Sequence, residues 1–233
     1  MTSLSIPALA VNHQTSSEAD YAKVSKIMVN YSKDKAAAKK ELKKLGYELV
    51  SEPEVTTLNA RPTSEITPSF VSPSSFTLSV YSFKKAGQSL TSLQFTLQTS
   101  QKEYSPGPLD YVSLEYNQNL ASYYTSAGDG NITTVQGRGT GIVTFNLEDS
   151  KLTSTNYTYG TVNILPRTPG STLEYGSKYC HTYKTTSSSG GTIGGALNLS
   201  PLPSNISGGG SFEVNLVTAV ECFYLWADNA STI

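Results

Sequence analysis

Leu93-Gln94-Phe95-Thr96-Leu97-Gln98 alternates apolar and polar side chains without a break. Successive side chains of a β-strand point to opposite faces, so Leu93, Phe95 and Leu97 share one face and the polar residues the other. A helix cannot carry a two-residue period. The same rhythm precedes it in Phe76-Thr77-Leu78-Ser79-Val80 and follows it in Val112-Ser113-Leu114-Glu115-Tyr116. Each strand therefore has a dry face and a wet one, as antiparallel sheets allow.

Further strands are expected at 120–126, 131–137, 141–147, 157–165, 177–186, about 191–199 and 211–227. Turn chemistry separates them at Ser105-Pro106-Gly107-Pro108, Asp129-Gly130-Asn131, Gly137-Arg138-Gly139, Pro169-Gly170 and Gly208-Gly209-Gly210. Asp129-Gly130 reads as a hairpin tip, because both central residues of that turn need positive φ. Short strands at this spacing without intervening helices predict a mainly β fold over 75–233, an antiparallel β-sandwich of immunoglobulin-like or jelly-roll-like type.

Upstream the period changes. Tyr21, Val24, Ile27, Met28 and Tyr31 recur at three and four residues, after a capping-box-like Ser17-Glu18-Ala19-Asp20. Ser32 or Asp34 caps a second helix through Leu42 and Leu45, which Gly46 stops before Tyr47. Residues 17–50 thus read as a short helical hairpin, which must pack elsewhere because its apolar stripes are too small to bury one another. Residues 51–74, with Pro53, Pro62, Pro68 and Pro73, read as a Pro-rich linker or strap whose Glu54-Val55-Thr56-Thr57 and Phe70-Val71 can pair at a sheet edge. In residues 1–16, Ile6-Pro7-Ala8-Leu9-Ala10 resembles the end of a secretory signal, lacking a charged start, or else a disordered lead-in.

Compartment follows from composition. Charged residues are 15% of the chain, with Ser and Thr filling polar positions, and the net charge of −1 gives no overall pull toward nucleic acid or anionic membrane. Two cysteines and two histidines, His13 and His181, are too few for a structural zinc site of the usual kind. A disulfide between Cys180 and Cys222 is the expectation, worth about 3–4 kcal/mol for a loop of about 40 residues, with a buried thiol pair as the alternative. Trp226 follows the second cysteine instead of lying between the two, so the immunoglobulin hallmark is absent and only the general architecture is implied. Sequons at Asn30, Asn131, Asn156, Asn198, Asn205 and Asn229 are compatible with a glycoprotein. No run of about 20 apolar residues spans a membrane.

Two surfaces carry binding potential. The second helix concentrates six of seventeen basic residues in twelve positions, and Lys39, Lys40, Lys43 and Lys44 form a candidate anion-docking face; a solvated helix face is the plainer reading. Tyr123, Tyr124, Tyr157 and Tyr159 form a candidate ligand platform, or line a sheet simply because tyrosine favours strands.

Catalytic signatures are missing. There is no G-x-S-x-G, the strand residue His181 between two tyrosines reads as packed, and Asp110, Glu115 and Glu148-Asp149 show no glycosidase-like pairing. Gly128-Asp129-Gly130-Asn131 lacks the later ligands of a calcium loop. The sequence reads as a non-enzymatic, secreted or surface-displayed sandwich acting in adhesion or assembly, without cofactor or metal, through a protein partner or self-assembly. A carbohydrate-binding module with a glycan ligand and a viral or particle shell protein of jelly-roll fold are the alternatives. Nucleic acid is disfavoured, because no aromatic or arginine interleaves the lysines.

Overall fold

The alternating stretches become two antiparallel sheets in the computed structural model, which describes residues 18–56, 61–62, 72–102, 109–183, 196–198, 213–215 and 221–233. Two helices, α1 (Glu18–Met28) and α2 (Lys35–Lys44), lead into β1 (Tyr47–Thr56) and the two-residue β2 (Arg61–Pro62). Then come β3 (Phe76–Lys85), β4 (Thr91–Thr99), β5 (Asp110–Tyr116), β6 (Ala121–Gly128), β7 (Thr133–Gly139), β8 (Ile142–Leu147), β9 (Tyr157–Pro166) and β10 (Thr172–Tyr183). The described chain finishes with β11 (Ala196–Asn198), β12 (Glu213–Asn215) and β13 (Glu221–Thr232). One sheet has the order β1-β3-β4-β9-β6 and the other β2-β13-β10-β5-β8-β7, while β11 and β12 form a separate ribbon. The mainly β sandwich with two short N-terminal helices is as expected.

The core lies between the sheets and takes alternate residues from each. Phe76, Leu78 and Val80 of β3 and Leu93, Phe95 and Leu97 of β4 meet Val112 and Leu114 of β5 and Val143, Phe145 and Leu147 of β8. Phe95 and Phe145 meet edge to face across the layers at 5.3 Å between centroids.

A second cluster sits outside the five-stranded sheet. Tyr21, Val24, Met28, Tyr31, Ala38 and Leu42 of the helical hairpin cover Tyr81, Phe83 and Tyr159. The wet face of β4 and β9 is therefore dry here, and its polar side chains bond one another. Tyr81 Oη donates to Gln94 Oε1 at 2.5 Å, and Gln94 Nε2 donates to Thr161 Oγ1 at 2.7 Å. Ser92 Oγ donates to Asn163 Oδ1, and Asn163 Nδ2 donates to the Tyr21 hydroxyl of α1, each at 2.6 Å. Burial without such partners would cost each group more than it gains. The hairpin is a third layer of the fold, joined to the sheet by side-chain chemistry as well as by apolar area.

Local chemistry sets the elements. Asp34, not Ser32, caps α2, its carboxylate accepting from Ala37 N at 2.9 Å. Gly46 at φ 80° turns the chain straight into β1, so the strand crosses the expected boundary at residue 50 and runs to Thr56. Pro53 falls in a bulge between the pairs Ser51–Ser82 and Glu54–Val80, where its missing N–H breaks no ladder bond. Part of the expected strap is thus an edge strand, and Arg61–Pro62 pairs with β13. Ser17, Asn205, the 1–16 lead-in and parts of the strands expected at 191–199 and 211–227 lie outside the described residues.

Asp129-Gly130 is not a hairpin tip within one sheet. β6 pairs with β9 in one sheet and β7 with β8 in the other, so residues 129–132 cross between layers. Gly130 has φ 76°, but no residue other than glycine has positive φ among the described residues. The Asp129 carboxylate organises the crossing instead, accepting from Asn131 N, Ile132 N and Thr133 N at 2.7–2.9 Å and from Thr158 Oγ1 at 2.5 Å. The β7–β8 hairpin turns at Thr140-Gly141, two residues later than expected.

Candidate functional site

Lysines on α2 divide into two groups. Lys35 and Lys39 both reach Glu52 of β1, at 2.9 and 2.7 Å, and clip the helix to the strand. Hydrogen bonds from Lys39 and then Lys35 pull the Glu52 carboxyl pKa down to about 2. Lys44 pairs with Glu41 at 2.6 Å. Of the four expected docking lysines, Lys40 and Lys43 are exposed and make no ion pair among the described residues. The structure brings Lys39 and Lys43 to one wall of a groove of about 550 Å³ between α2 and β1. Leu42, Tyr47, Leu49 and Val50 supply its apolar floor, and Glu48 and Glu52 stand on the strand side. β1 is the terminal strand of its sheet, so the groove runs along a sheet edge.

The four tyrosines are not gathered into one row. Tyr159 is buried beneath the hairpin and Tyr157 is half-buried beside it. Tyr123 pairs with Ile164 at the other end of β9, leans on the inter-sheet core and carries the Arg138 guanidinium over its ring at 4.6 Å. Tyr124 alone of the four is exposed. The bulge between Tyr123 and Thr125 separates the pair from the regular ladder. The four tyrosines do not share one exposed face in this arrangement.

Cys180 is a buried thiol here, and the expected bridge to Cys222 is not shown. Cys180 stands opposite Tyr224, and Thr182 opposite Cys222, so the cysteines occupy neighbouring strands one diagonal step apart. Diagonal Cα atoms in an antiparallel pair are typically about 7–8 Å apart, at or beyond the reach of an unstrained disulfide. Among the sequons, Asn229 Nδ2 donates to Glu52 O and Val80 O, and Asn156 Nδ2 donates to Lys151 O. Both amides are engaged in holding backbone, whereas Asn131 is exposed on the crossing.

A cluster that the sequence reading left dispersed lies inside the sandwich. Tyr179 and His181 of β10 face the core, while Cys180 between them faces outward from the sheet. His181 packs against Phe76, with ring centroids 5.1 Å apart and a tilt of 42°, and approaches Asp110, the first residue of β5, with Nδ1 2.8 Å from Oδ2. Tyr179 Oη donates to the same Asp110 oxygen and lies 3.0 Å from His181 Nδ1. The other Asp110 oxygen accepts from Thr182 N at 2.7 Å. Asp149, in the short 3-10 turn after β8, brings a carboxylate oxygen to 3.8 Å from His181 Nδ1. All four side chains are at most 4% exposed. Burial and the nearby Asp110 carboxylate raise the Tyr179 pKa well above the usual phenol range, so the hydroxyl stays a donor. Asp110, Asp149 and His181 offer ligand atoms within 4.8 Å of one another.

Asp110, Asp149 and His181 each appear in the sequence as isolated groups, and only the sheet order joins them. One signal was available. On β10, Tyr175, Tyr179 and His181 fall in the same two-residue register, so a core-facing Tyr175 puts His181 in the core as well.

No helix among the described residues is long and apolar enough to cross a membrane. No protein-family model and no characterised protein sequence matches this chain. Solved structures similar to part of it include the sixth cohesin of scaffoldin B from Acetivibrio cellulolyticus, in complex with a Cel5 dockerin. That likeness has 12% identity and TM-score 0.30, over 39% of this chain and 75% of that one. The seventh ScaB type I cohesin from Pseudobacteroides cellulosolvens is similar at 10% identity and TM-score 0.30, over 40% and 69%. The third ScaC cohesin of A. cellulolyticus, in complex with the ScaB dockerin, is similar at 14% identity and TM-score 0.29, over 37% and 68%.

Proposed function

We propose that the protein is a non-enzymatic β-sandwich module of adhesion or assembly, working outside the cell, whose contact surface is the groove between α2 and β1. The observation that carries this reading is the make-up of the groove: an apolar floor from Leu42, Leu49 and Val50 with charged residues at its rim. A dry centre inside a polar rim is the anatomy of protein contact surfaces. The charge arrangement favours a second copy of the chain as the partner. Lys39 and Glu52 already hold each other across the groove, which leaves Lys43 on the helix wall and the exposed Glu48 on the strand wall, and a two-fold contact can set Lys43 of each copy against Glu48 of the other. The stretch Tyr47–Leu49, ahead of the bulge, is the part of the edge regular enough to pair with its own copy. Low charge and Ser/Thr-rich composition support an exterior location.

Sedimentation equilibrium of the full chain tests this between about 1 µM and 1 mM, the range of weak specific contacts. Wild-type protein is expected to associate reversibly to a dimer. Leu49→Asp combined with Lys43→Glu is expected to remain monomeric with an unchanged far-ultraviolet spectrum. A wild-type chain that stays monomeric throughout, or a double variant that associates as well as wild type, would remove the groove as the assembly surface.

A further inference from the structure

We infer that Asp110, Asp149 and His181 form a closed site for one first-row divalent cation of the zinc class, built into the interior of the sandwich. The three side chains come from separate parts of the chain, namely the start of β5, the turn after β8 and the core face of β10. Their ligating atoms converge within 4.8 Å, and all three residues are at most 4% exposed. One imidazole nitrogen with two carboxylates is a donor set that suits zinc and its neighbours. Calcium takes six to eight oxygens, which a sealed site with one nitrogen does not offer.

The surroundings resemble what a metal centre requires of its supporting groups. Asp110 Oδ1 is held by Thr182 N at 2.7 Å, which fixes the carboxylate and leaves Oδ2 pointing at the imidazole. Phe76 packs against the His181 ring at 5.1 Å between centroids, tilted by 42°, and limits its rotation. The Tyr179 hydroxyl, 3.0 Å from His181 Nδ1, donates to Asp110 Oδ2 and braces that carboxylate, and a water completes the tetrahedron.

Two of the three ligand separations are close to those of a loaded site. Tetrahedral zinc with bonds of about 2.0–2.1 Å separates its ligand atoms by about 3.3 Å. His181 Nδ1 lies 3.8 Å from Asp149 Oδ2 and 2.8 Å from Asp110 Oδ2. Entry of a cation therefore asks the second pair to open by about 0.5 Å and the first to close by a similar amount. The imidazole ligates in its neutral form, so any proton it shares with Asp110 leaves for solvent as the cation binds. A dication matches the charge of two carboxylates, which makes the loaded cluster neutral in a place where net charge is expensive. The role is structural: the ion would tie β5, the β8–β9 connection and β10 to one point.

The site is sealed, so the test loads it during folding. Untagged full-length chain is unfolded with chelator, refolded with or without zinc chloride, and desalted. Elemental analysis is expected to find about one zinc per chain, and the melting temperature to rise by about 5–10 °C over the metal-free protein. Cobalt in place of zinc is expected to give the visible absorption of a tetrahedral centre. Asp149→Asn leaves the bonds among Asp110, Tyr179 and His181 in place, and is expected to fold while binding zinc at least about 100-fold more weakly. Less than about a tenth of an equivalent in wild type, with no change in melting, overturns the site. Zinc retained equally by Asp149→Asn and His181→Gln overturns it too, by placing the ion elsewhere. Should the variants fail to fold, the cobalt spectrum of wild type decides alone, and a spectrum without tetrahedral bands counts against the site.

Discussion

Asp110→Ala is expected to lower the unfolding free energy by about 3–5 kcal/mol, the cost of removing one member of a buried charged network. The Asp110 carboxylate accepts from Thr182 N and Tyr179 Oη and meets His181 Nδ1, and every one of these residues is sealed from solvent. Truncation leaves an amide, a phenol and an imidazole without their shared acceptor in a site closed to solvent. Asp110→Asn separates charge from shape. It keeps one oxygen for Thr182 N but turns an NH₂ toward two groups that also donate, and about 1–3 kcal/mol is expected. Urea titrations of metal-free protein measure both. An alanine variant within about 1 kcal/mol of wild type would mean that the cluster is not the sealed network described.

The core gives the second large effect. Phe95→Ala is expected to cost about 3–5 kcal/mol, through lost burial and the cavity left behind. Phe95 sits at the centre of β4, meets Phe145 from the opposite sheet and covers Gly160 on β9. The glycine makes the prediction sharper. A Cβ at residue 160 would lie 2.4 Å from Phe95 Cε1 and 2.9 Å from Phe145 Cε1, so Gly160→Ala alone overpacks the core by about 1–3 kcal/mol. In the Phe95→Ala background the same methyl enters space the ring has vacated, and Phe145 has room to move aside. The two changes together are therefore expected to cost less than their sum, by about 1 kcal/mol or more. Additive losses would show that Phe95 and Gly160 do not share this contact.

The sequence made the architecture legible because one face of each central strand is uniformly apolar. Leu93, Phe95 and Leu97 point inward as their alternation requires, and the helical stripe from Tyr21 to Tyr31 is buried as its period requires. Pairing partners are less legible. Asp129-Gly130 carries a hairpin's residues, yet strand order sends its two strands to different sheets and the Asp129 carboxylate takes over the turn. Gln94 and Asn163 look solvent-facing by alternation, and only the hairpin's position makes them interior. The expected binding residues are brought together only in part, for a related reason. Residue type places Tyr123 and Tyr159 on strands, but register sets them at opposite ends of β9. Lysines four apart on α2 share a face, but Glu52, seventeen residues from Lys35, decides which of them are engaged. Asp110, Asp149 and His181 meet through contacts up to 71 residues apart, which no local pattern encodes.

Everything proposed for the groove depends on the helical hairpin being a fixed layer on β4 and β9, with α2 held against β1. Native-state hydrogen exchange reads this directly. If the hairpin is integral, the amides in the middle of α1 and α2 will exchange thousands of times more slowly than in free peptide, and Tyr21→Phe, which removes the hydroxyl bonded to Asn163, will speed α1 selectively. Helical amides exchanging near the free-peptide rate while β3, β4 and β9 remain protected would show a detachable segment, and the groove would lose one of its walls.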